Sequence, residues 1–198
     1  MVFLIYKKQK MKKRNLFKVM ALFVAVGMMF GFTSCSKDKE SGELKVGKSY
    51  QGGIIAYIDG TGEHGLIAAP TDQSTAIEWG GYGTATGALG RDIGTGLSNT
   101  MKIVQTVGAG HYAAKLCDDL VLGGYSDWFL PSYSELNKLY DNRHTIGGFD
   151  TSDNAFYWCS TEHSSNNTLA CARYFYEESS STYRAKNQAG KVRAVRAF

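Results

Sequence analysis

Tyrosines and cations gather around one polar turn near the C-terminus, and these residue types are suited to ligand binding. The turn at 177–182 reads EESSST, with aromatic and basic residues on either side of it. Aromatic faces combined with fixed hydrogen-bonding groups suit sugars, and guanidinium groups suit sulfate or carboxylate. Tyrosine is also common in β-strands, so ordinary packing is the alternative interpretation. The candidate ligand-binding residues are Arg173, Tyr174, Tyr176, Tyr183, Arg184 and Lys186.

Two cysteines stand in neighbouring strand-like runs. Cys159 and Cys171 lie on either side of a polar turn at 164–167. Folding this hairpin about its middle brings the two residues together. The N-terminal targeting pattern described below indicates a compartment that permits disulfides. We therefore predict a cross-strand disulfide, with two free buried thiols as the alternative. Cys117 lies in an apolar helical pattern and is interpreted as a buried thiol rather than a nucleophile.

Other motifs that could carry chemistry have simpler explanations. Residues 60–65 read GTGEHG, but a dinucleotide-binding fingerprint opens a helix, whereas these glycines lead into the strand-like run LIAA. We interpret them as a hairpin turn. The four histidines lack the spacing of a zinc site. Asp150, Asp153 and Asn154 carry oxygens that suit calcium, although a solvated acidic turn is the favoured interpretation. We predict no metal and no cofactor.

Paired carboxylates occur at 118–119 and at 177–178. Adjacent residues on a helix or strand do not face each other across a substrate, so neither pair is suited to glycoside hydrolysis. The chain also has no nucleophile elbow. We predict no catalytic residues and a protein that is not an enzyme.

The element that must organise the fold is the segment 123–140, GGYSDWFLPSYSELNKLY. Trp128 and its two apolar neighbours have to be covered, and the proline that follows disfavours helix. Ser132 and Glu135 fit a capping box, so we predict a helix that begins near Tyr133 and packs Leu136 and Leu139 on a sheet.

The remaining pattern places strands and helices in separate parts of the chain, which predicts an α+β fold. We expect an N-terminal hairpin from 52–57 and 66–69, a short strand at 76–79 and an irregular glycine-rich loop at 80–96. Two to three helices follow, at 99–106, 112–120 and after Ser132. Four strands at 155–160, 169–176, 183–186 and 192–198 are expected to form a C-terminal antiparallel meander.

The N-terminus has the pattern of a targeting segment. Basic residues up to Lys18 precede fourteen uncharged residues, and Phe32-Thr33-Ser34-Cys35 resembles a bacterial lipobox. We predict a signal peptide at 1–35, lipidation of Cys35, a polar tether at 36–45 and one domain at 46–198. A transmembrane anchor is the alternative, but the apolar run is shorter than the roughly 18 residues that such a helix needs. Seven of the 22 basic residues precede Cys35, which leaves 15 basic and 18 acidic residues and argues against nucleic-acid binding.

Several segments together resemble one family. GGIIAYIDGTGEHGLIAAP, LCDDLVLGGYSDWFLPSYSELNKLY, YWCSTEHSSNN and the terminal VRAVRAF are similar to the Fibrobacter succinogenes major paralogous domain and to the C-terminal domain of the Legionella collagen-like protein. The resemblance covers roughly Val46 to Phe198. It implies a C-type-lectin-like fold and a surface or secreted module, since the Legionella member is an adhesin that binds sulfated polysaccharide.

These observations predict a lipoprotein of the bacterial outer membrane, exposed at the cell surface and anchored to the membrane by lipid. Its lectin-like domain is expected to bind glycan or another surface ligand, with polysaccharide as the partner in adhesion. One alternative is an enzyme on a scaffold like that of formylglycine-generating enzymes, which would need a reactive cysteine pair or a metal. The other is a purely structural envelope protein.

Overall fold

The computed structural model describes residues 43–198. The predicted signal peptide, the predicted lipidation site Cys35 and most of the predicted tether lie outside the described residues. Among residues 43–198, no helix combines the length and the apolar character needed to cross a bilayer.

Nine strands and four helices make up the described part of the chain. The strands are β1 (Ser49–Tyr50), β2 (Gly53–Ile58), β3 (Gly65–Ala68), β4 (Ser74–Ile77), β5 (Phe156–Glu162), β6 (Leu169–Tyr174), β7 (Ser181–Ala185), β8 (Gly190–Val192) and β9 (Val195–Ala197). The helices are α1 (Gly96–Val107), α2 (Ala113–Asp118), α3 (Tyr133–Asp141) and α4 (Arg143–Ile146). Strands and helices are segregated along the chain, so the predicted α+β class is confirmed.

The predicted N-terminal hairpin is present as β2 and β3. The two strands pair antiparallel, with Ile55 opposite Ile67. GTGEHG forms the turn between them, and the turn is closed by a 2.8 Å hydrogen bond from the Asp59 N–H to the His64 carbonyl. The interpretation of this motif as a hairpin turn rather than a nucleotide-binding loop is therefore confirmed.

The segment around Trp128 is the hub that its composition predicted. Trp128 and Leu130 are fully buried. Helix α3 begins directly after Ser132, whose hydroxyl accepts from the Glu135 N–H while the Glu135 carboxylate accepts from the Ser132 N–H, so the capping box is complete. Phe129 exchanges two backbone hydrogen bonds with Val195, of 2.8 and 3.0 Å, and so ties the hub to the C-terminal strand.

The C-terminal strands are not one antiparallel meander, and this prediction requires correction. Strands β5, β6 and β7 follow the meander, but β8 inserts between β4 and β5 and runs parallel to β5. After β8 the chain leaves this five-stranded sheet, and strand β9 pairs with β3 in the four-stranded sheet. The break falls at Arg193, whose buried guanidinium binds Asp72 and backbone carbonyls, so the chain crosses between sheets there.

The five-stranded sheet carries a different core on each face because its side chains alternate. Phe156 and Trp158 of β5 belong to a cluster that also contains Trp79 and Trp128. Their neighbours Tyr157 and Cys159 belong to a second cluster, which contains Leu136 and Leu139 of α3 among other residues. The α3 side and the Trp158 side of this sheet are therefore distinct environments for any ligand.

Candidate functional site

The predicted ligand-binding residues are divided between the two faces of the sheet. In the β6–β7 register, Arg173 lies opposite Ser181 and Cys171 opposite Tyr183, all on the α3 side. Arg184 lies on the other face, where its guanidinium stands 5.2 Å from the centre of the Tyr174 ring. Tyr176 is exposed, with its ring 5.6 Å from that of Tyr174. Sequence proximity therefore suggested one cluster where the structure has two.

Lys186 is not exposed on either face of the sheet, and its assignment as a ligand-binding residue requires correction. Its side chain is fully buried and forms a salt bridge with Glu162. The ammonium group also donates to the Thr84 carbonyl at 2.9 Å and lies 4.5 Å from the centre of the Trp79 ring. Burial lowers the pKa of Lys186, and the interaction with Glu162 opposes that shift. Its role is internal.

On the α3 side, an unpredicted residue joins Tyr183. Arg91, from the glycine-rich loop, donates from Nη1 to the Tyr183 hydroxyl at 2.8 Å. Its guanidinium also stacks 3.9 Å above the ring of Tyr133, the first residue of α3. The His163 ring packs edge-on against Tyr183, with 4.5 Å between ring centres. Arg91 is exposed, so its remaining N–H groups are accessible.

Arg173 occupies the adjoining part of the same side. Its guanidinium stacks 3.7 Å from the centre of the Tyr140 ring. Nη1 donates to Asn137 Oδ1 at 2.9 Å and to Ser181 Oγ at 3.1 Å, which fixes the side chain between α3 and the edge strand β7. We call the set Arg91, Tyr133, Asn137, Arg173 and Tyr183 the arginine–tyrosine surface.

The charge of this surface is uncompensated. Among residues 43–198, no carboxylate forms a salt bridge with Arg91 or Arg173. By contrast, Arg193 and Arg196 of the terminal VRAVR motif pair with Asp72 and Asp127 and are buried. Arg91 keeps N–H groups beyond the one bonded to Tyr183, so it can receive an external sulfate or carboxylate through two parallel donors. Arg173 contributes its charge, because its Nη2 also donates internally, to the Ser179 carbonyl at 3.1 Å.

Arg91 is held in place although its loop contains no regular structure. The Gly90 carbonyl accepts from Asn99 Nδ2 at 2.7 Å and from the Thr161 hydroxyl at 2.8 Å. The Arg91 carbonyl itself accepts from the Ser134 N–H at 2.9 Å. The backbone on both sides of the guanidinium is therefore bonded to a helix or strand, which preorganises the side chain.

Two buried carboxylates hold the rest of the glycine-rich loop. Glu135 Oε1 accepts from the Gly94 N–H at 2.7 Å, and burial raises the pKa of this carboxyl against the opposing effect of its backbone donors. Glu162 accepts from the N–H groups of Thr86 and Gly87 at 2.9 and 3.0 Å, in addition to Lys186. With their acceptor positions already occupied, both carboxylates serve the loop rather than a substrate.

The predicted disulfide between Cys159 and Cys171 is also corrected. Both are free buried thiols, in hydrogen-bond contact with each other. The register between β5 and β6 shifts between Trp158 and Glu162, so the regular opposition of residues ends where a cross-strand bridge would lie. The contact with Cys159, followed by burial, raises the pKa of the Cys171 thiol. Burial likewise raises the pKa of Cys117, which is a buried thiol as predicted.

Asp150, one of the residues considered for calcium, has other partners. Asp150 Oδ1 accepts from the Ser152 N–H and hydroxyl at 3.0 and 2.6 Å, and Oδ2 pairs with Lys191 at 3.0 Å. Within residues 43–198, no group of three or more His, Cys, Asp or Glu side chains is arranged to hold a metal ion.

Sequence reasoning missed Arg91, Tyr133, Asn137 and His163. One signal was available, because Arg91 is the sole cation among residues 80–96 and interrupts an otherwise small, glycine-rich run. Tyr133 and Asn137 are one helical turn apart, so they share a face of α3. Nothing in the sequence indicated which strand that face would meet.

The fold and this surface define an α+β domain that carries arginine and tyrosine side chains together on one side of its five-stranded sheet. The model of the Lcl C-terminal domain family matches residues 69–196, and the chain belongs to that family. No curated protein matches the chain. A crystal structure of a fimbrial protein from Bacteroides ovatus is similar over 66% of this chain and 35% of its own length, with 16% identity and a TM-score of 0.49. The chain thus spans about a third of that protein's length. The family assignment favours a cell-surface, adhesion-type domain.

Proposed function

We propose that this protein is an envelope lipoprotein whose lectin-like domain binds an acidic or sulfated polysaccharide at the arginine–tyrosine surface, without catalysis. The observation that carries the proposal is the geometry of Arg91. Its guanidinium is stacked on Tyr133, bonded to Tyr183 and free of any carboxylate among the described residues. Stacked rings offer the apolar face that sugar rings use, and the guanidinium offers two parallel donors for an anion.

The extent of the surface supports a polymer rather than a small ion as the ligand. Arg91 and Arg173 both act electrostatically on Cys171 of β6, which lies opposite Tyr183 of the edge strand β7, so two positive charges are placed on one face. Leu89 and Ile93, on either side of Arg91, are 48% and 40% exposed and add apolar contact area. Recognition surfaces are enriched in tyrosine and arginine in this way.

The enzyme alternative has less support. A formylglycine-generating type of chemistry needs a reactive thiol, but Cys117, Cys159 and Cys171 are all buried. The raised pKa of Cys117 and of Cys171 keeps both thiols protonated at neutral pH. Glu135 and Glu162, the buried carboxylates that hold the glycine-rich loop, are both occupied by backbone donors.

An array of neutral, carboxylated and sulfated polysaccharides tests the binding proposal. The full chain, purified in a detergent without a sugar headgroup, is expected to bind the anionic polymers at physiological salt and to release them as salt screens the charges. Arg91→Ala should weaken binding about tenfold or more, because arginine anchors are common hot spots. Arg91→Lys should recover only part of the loss, since lysine cannot donate two parallel bonds.

The matched control is Arg184→Ala, which removes an arginine stacked on tyrosine from the opposite face. It should leave anionic binding unchanged. A folded chain that binds no anionic polymer, or that loses binding equally in both variants, would contradict the proposal and favour a purely structural envelope protein.

The proposed location has its own test, because Cys35 lies outside the described residues. Cells that express the chain should incorporate a palmitate analogue into it, and Cys35→Ser should abolish the label. Protease treatment of intact cells should degrade the domain if it faces outward, whereas complete protection would place it inside the envelope.

A further inference from the structure

The stacked cations of the arginine–tyrosine surface continue past Arg173 onto helix α4. The ring of Tyr140, near the end of α3, contacts two guanidinium groups. Arg173 Cζ lies 3.7 Å from the ring centre, and Arg143 Cζ lies 4.0 Å from it. Arg143 is buried, and its Nη1 donates to the Tyr140 carbonyl at 2.9 Å. Tyr140 therefore connects a further arginine to this side of the domain.

Arg143 differs from Arg91 and Arg173 because the chain supplies a carboxylate for it. Glu177 Oε2 lies 2.8 Å from Arg143 Nη2, and Oε1 lies 3.0 Å from His144 Nε2. The hydrogen bonds from His144 and Arg143 lower the pKa of Glu177, so the carboxylate stays ionised at neutral pH. Glu177 stands in the turn between β6 and β7, and its side chain is 74% exposed. An anion is thus bound between two side chains of α4, and that anion is an exposed side chain of the protein itself.

The Glu177 carboxylate satisfies Arg143 only in part. Arg143 Nε is buried and has no hydrogen-bond partner among the described residues. Nε and Nη2 lie along one edge of a guanidinium, and that edge can donate two parallel bonds to one sulfate or carboxylate. An external anion that accepts from both nitrogens would bind Arg143 better than Glu177 does.

Glu177 can swing away while its turn stays in place. Ser179 anchors the turn, because its hydroxyl donates to the Tyr174 carbonyl at 2.6 Å and its carbonyl accepts from Arg173 Nη2 at 3.1 Å. Neither bond involves Glu177. An ion pair whose carboxylate is so exposed contributes little net stability, since water and salt compete for the charge.

We propose that Arg143 and His144 form a second anion site, and that Glu177 occupies it until a sulfate or carboxylate group of a bound polysaccharide displaces it. The polysaccharide as the source of that group rests on the proposed function. The occupant has to be an anion, because a neutral or cationic ligand would leave a buried guanidinium without its charged partner. A polymer that reaches both Arg91 and this site binds through two contacts, which raises its affinity.

Nuclear magnetic resonance with inorganic sulfate tests the site without any polymer. The ¹⁵N-labelled full chain, in an uncharged detergent without a sugar headgroup, is titrated with sodium sulfate at constant ionic strength. Glu177→Gln keeps the size of the side chain and removes its charge. It should tighten sulfate binding, followed at the amides of residues 143–145, by about threefold to fivefold, the range that a surface ion pair contributes. Adding His144→Ala to this variant should cancel the gain, because the exposed imidazole is the second donor of the site.

The matched control is Glu178→Gln, which removes the same charge from the neighbouring residue of the same turn. Within residues 43–198, Glu178 forms no salt bridge, so this variant should bind sulfate as the wild type does. The amide spectrum of each variant reports whether it folds. Equal gains in the Glu177 and Glu178 variants, or no gain from Glu177→Gln, would overturn the proposal.

The displacement by polysaccharide has a separate readout. An anionic polymer that binds the wild type should bind Glu177→Gln more tightly than Glu178→Gln, and equal affinities would contradict displacement of Glu177. If the wild type binds no anionic polymer, the proposed function fails, whereas the sulfate titration still decides whether Arg143 and His144 bind an anion.

Discussion

Two regions of the five-stranded sheet carry basic side chains in opposite electrostatic settings. On the α3 side, Arg91 and Arg173 stack on tyrosines and form no salt bridge with a carboxylate among the described residues. On strand β8, by contrast, Lys191 is paired with Asp150. The comparison teaches that pairing, rather than the number of basic residues, determines whether a surface favours an anion.

The two regions also differ in how they are held. Arg91 stands on a loop without strand or helix, and that loop depends on the buried carboxylates of Glu135 and Glu162. Lys191 stands on strand β8 and is fixed by its ion pair with Asp150. We therefore expect the arginine–tyrosine surface to be sensitive to a single buried charge, and the β8 region to be sensitive to packing around Gly190.

The largest expected effect comes from Glu162→Ala, which should damage one region and spare the other. The substitution leaves the fully buried Lys186 unpaired and removes the acceptor of Thr86 and Gly87. Breaking a buried ion pair in this way costs about 3–5 kcal/mol, measurable as a lower free energy of unfolding in urea. Anionic-polymer binding should fall with it, while the amide resonance of Gly190 should keep its wild-type position.

Glu162→Leu combined with Lys186→Met is the control for that experiment. It removes both charges together and should recover a large part of the lost stability, because no buried charge is left unpaired. If the double variant is as unstable as Glu162→Ala, the ion pair is not what holds the loop.

A smaller effect, which should act on the β8 region and spare the arginine–tyrosine surface, is expected from Gly190→Ala. The new Cβ atom would meet Phe156 and the Trp158 indole, so the ring or strand β8 must shift, at about 1–3 kcal/mol. The melting temperature should fall and anionic-polymer binding should be kept. Gly60→Ala is the matched control, since a Cβ atom at Gly60 has no neighbour within 4 Å, and it should leave the melting temperature nearly unchanged.

The smallest effect is the pH dependence of Asp150. Its pKa in the folded chain is about 2, below the ordinary value of 3.8, so its interactions contribute stability that is fully present above about pH 4 and is lost as the pH falls toward 2. The side chain is 36% exposed, which limits the contribution to less than about 1 kcal/mol. The difference in melting temperature between wild type and Asp150→Asn should therefore vanish near pH 2, whereas a constant difference would show that the charge is irrelevant.

Local features of the fold could be predicted because they depend on residues close together in sequence. Ser132 and Glu135 specify the start of α3 through hydrogen bonds across three residues. The hairpin of β2 and β3 follows from two apolar runs and a glycine-containing turn. Trp128 was expected to be buried because few surfaces tolerate three consecutive large apolar residues, and it is fully buried.

The candidate sites were harder to predict because their members are far apart in the chain. Arg91 and Tyr183 are separated by 92 residues and meet through one hydrogen bond. Arg173, Tyr174, Tyr183 and Arg184 are neighbours in sequence, yet strand alternation divides them between two faces. Cys159 and Cys171 do come into contact. Their geometry depends on the shift in register between β5 and β6, which their spacing in the sequence does not specify.

The amino-acid sequence alone determined the α+β class, the capped helix α3 and the burial of Trp128, since each rests on short-range pattern and chain chemistry. Only the tertiary structure decided that β9 crosses to the first sheet, that Lys186 is internal and that Arg91 reaches Tyr183. The physical reason is that charge pairing and sheet order depend on which distant segments share a layer, and a linear pattern does not specify that.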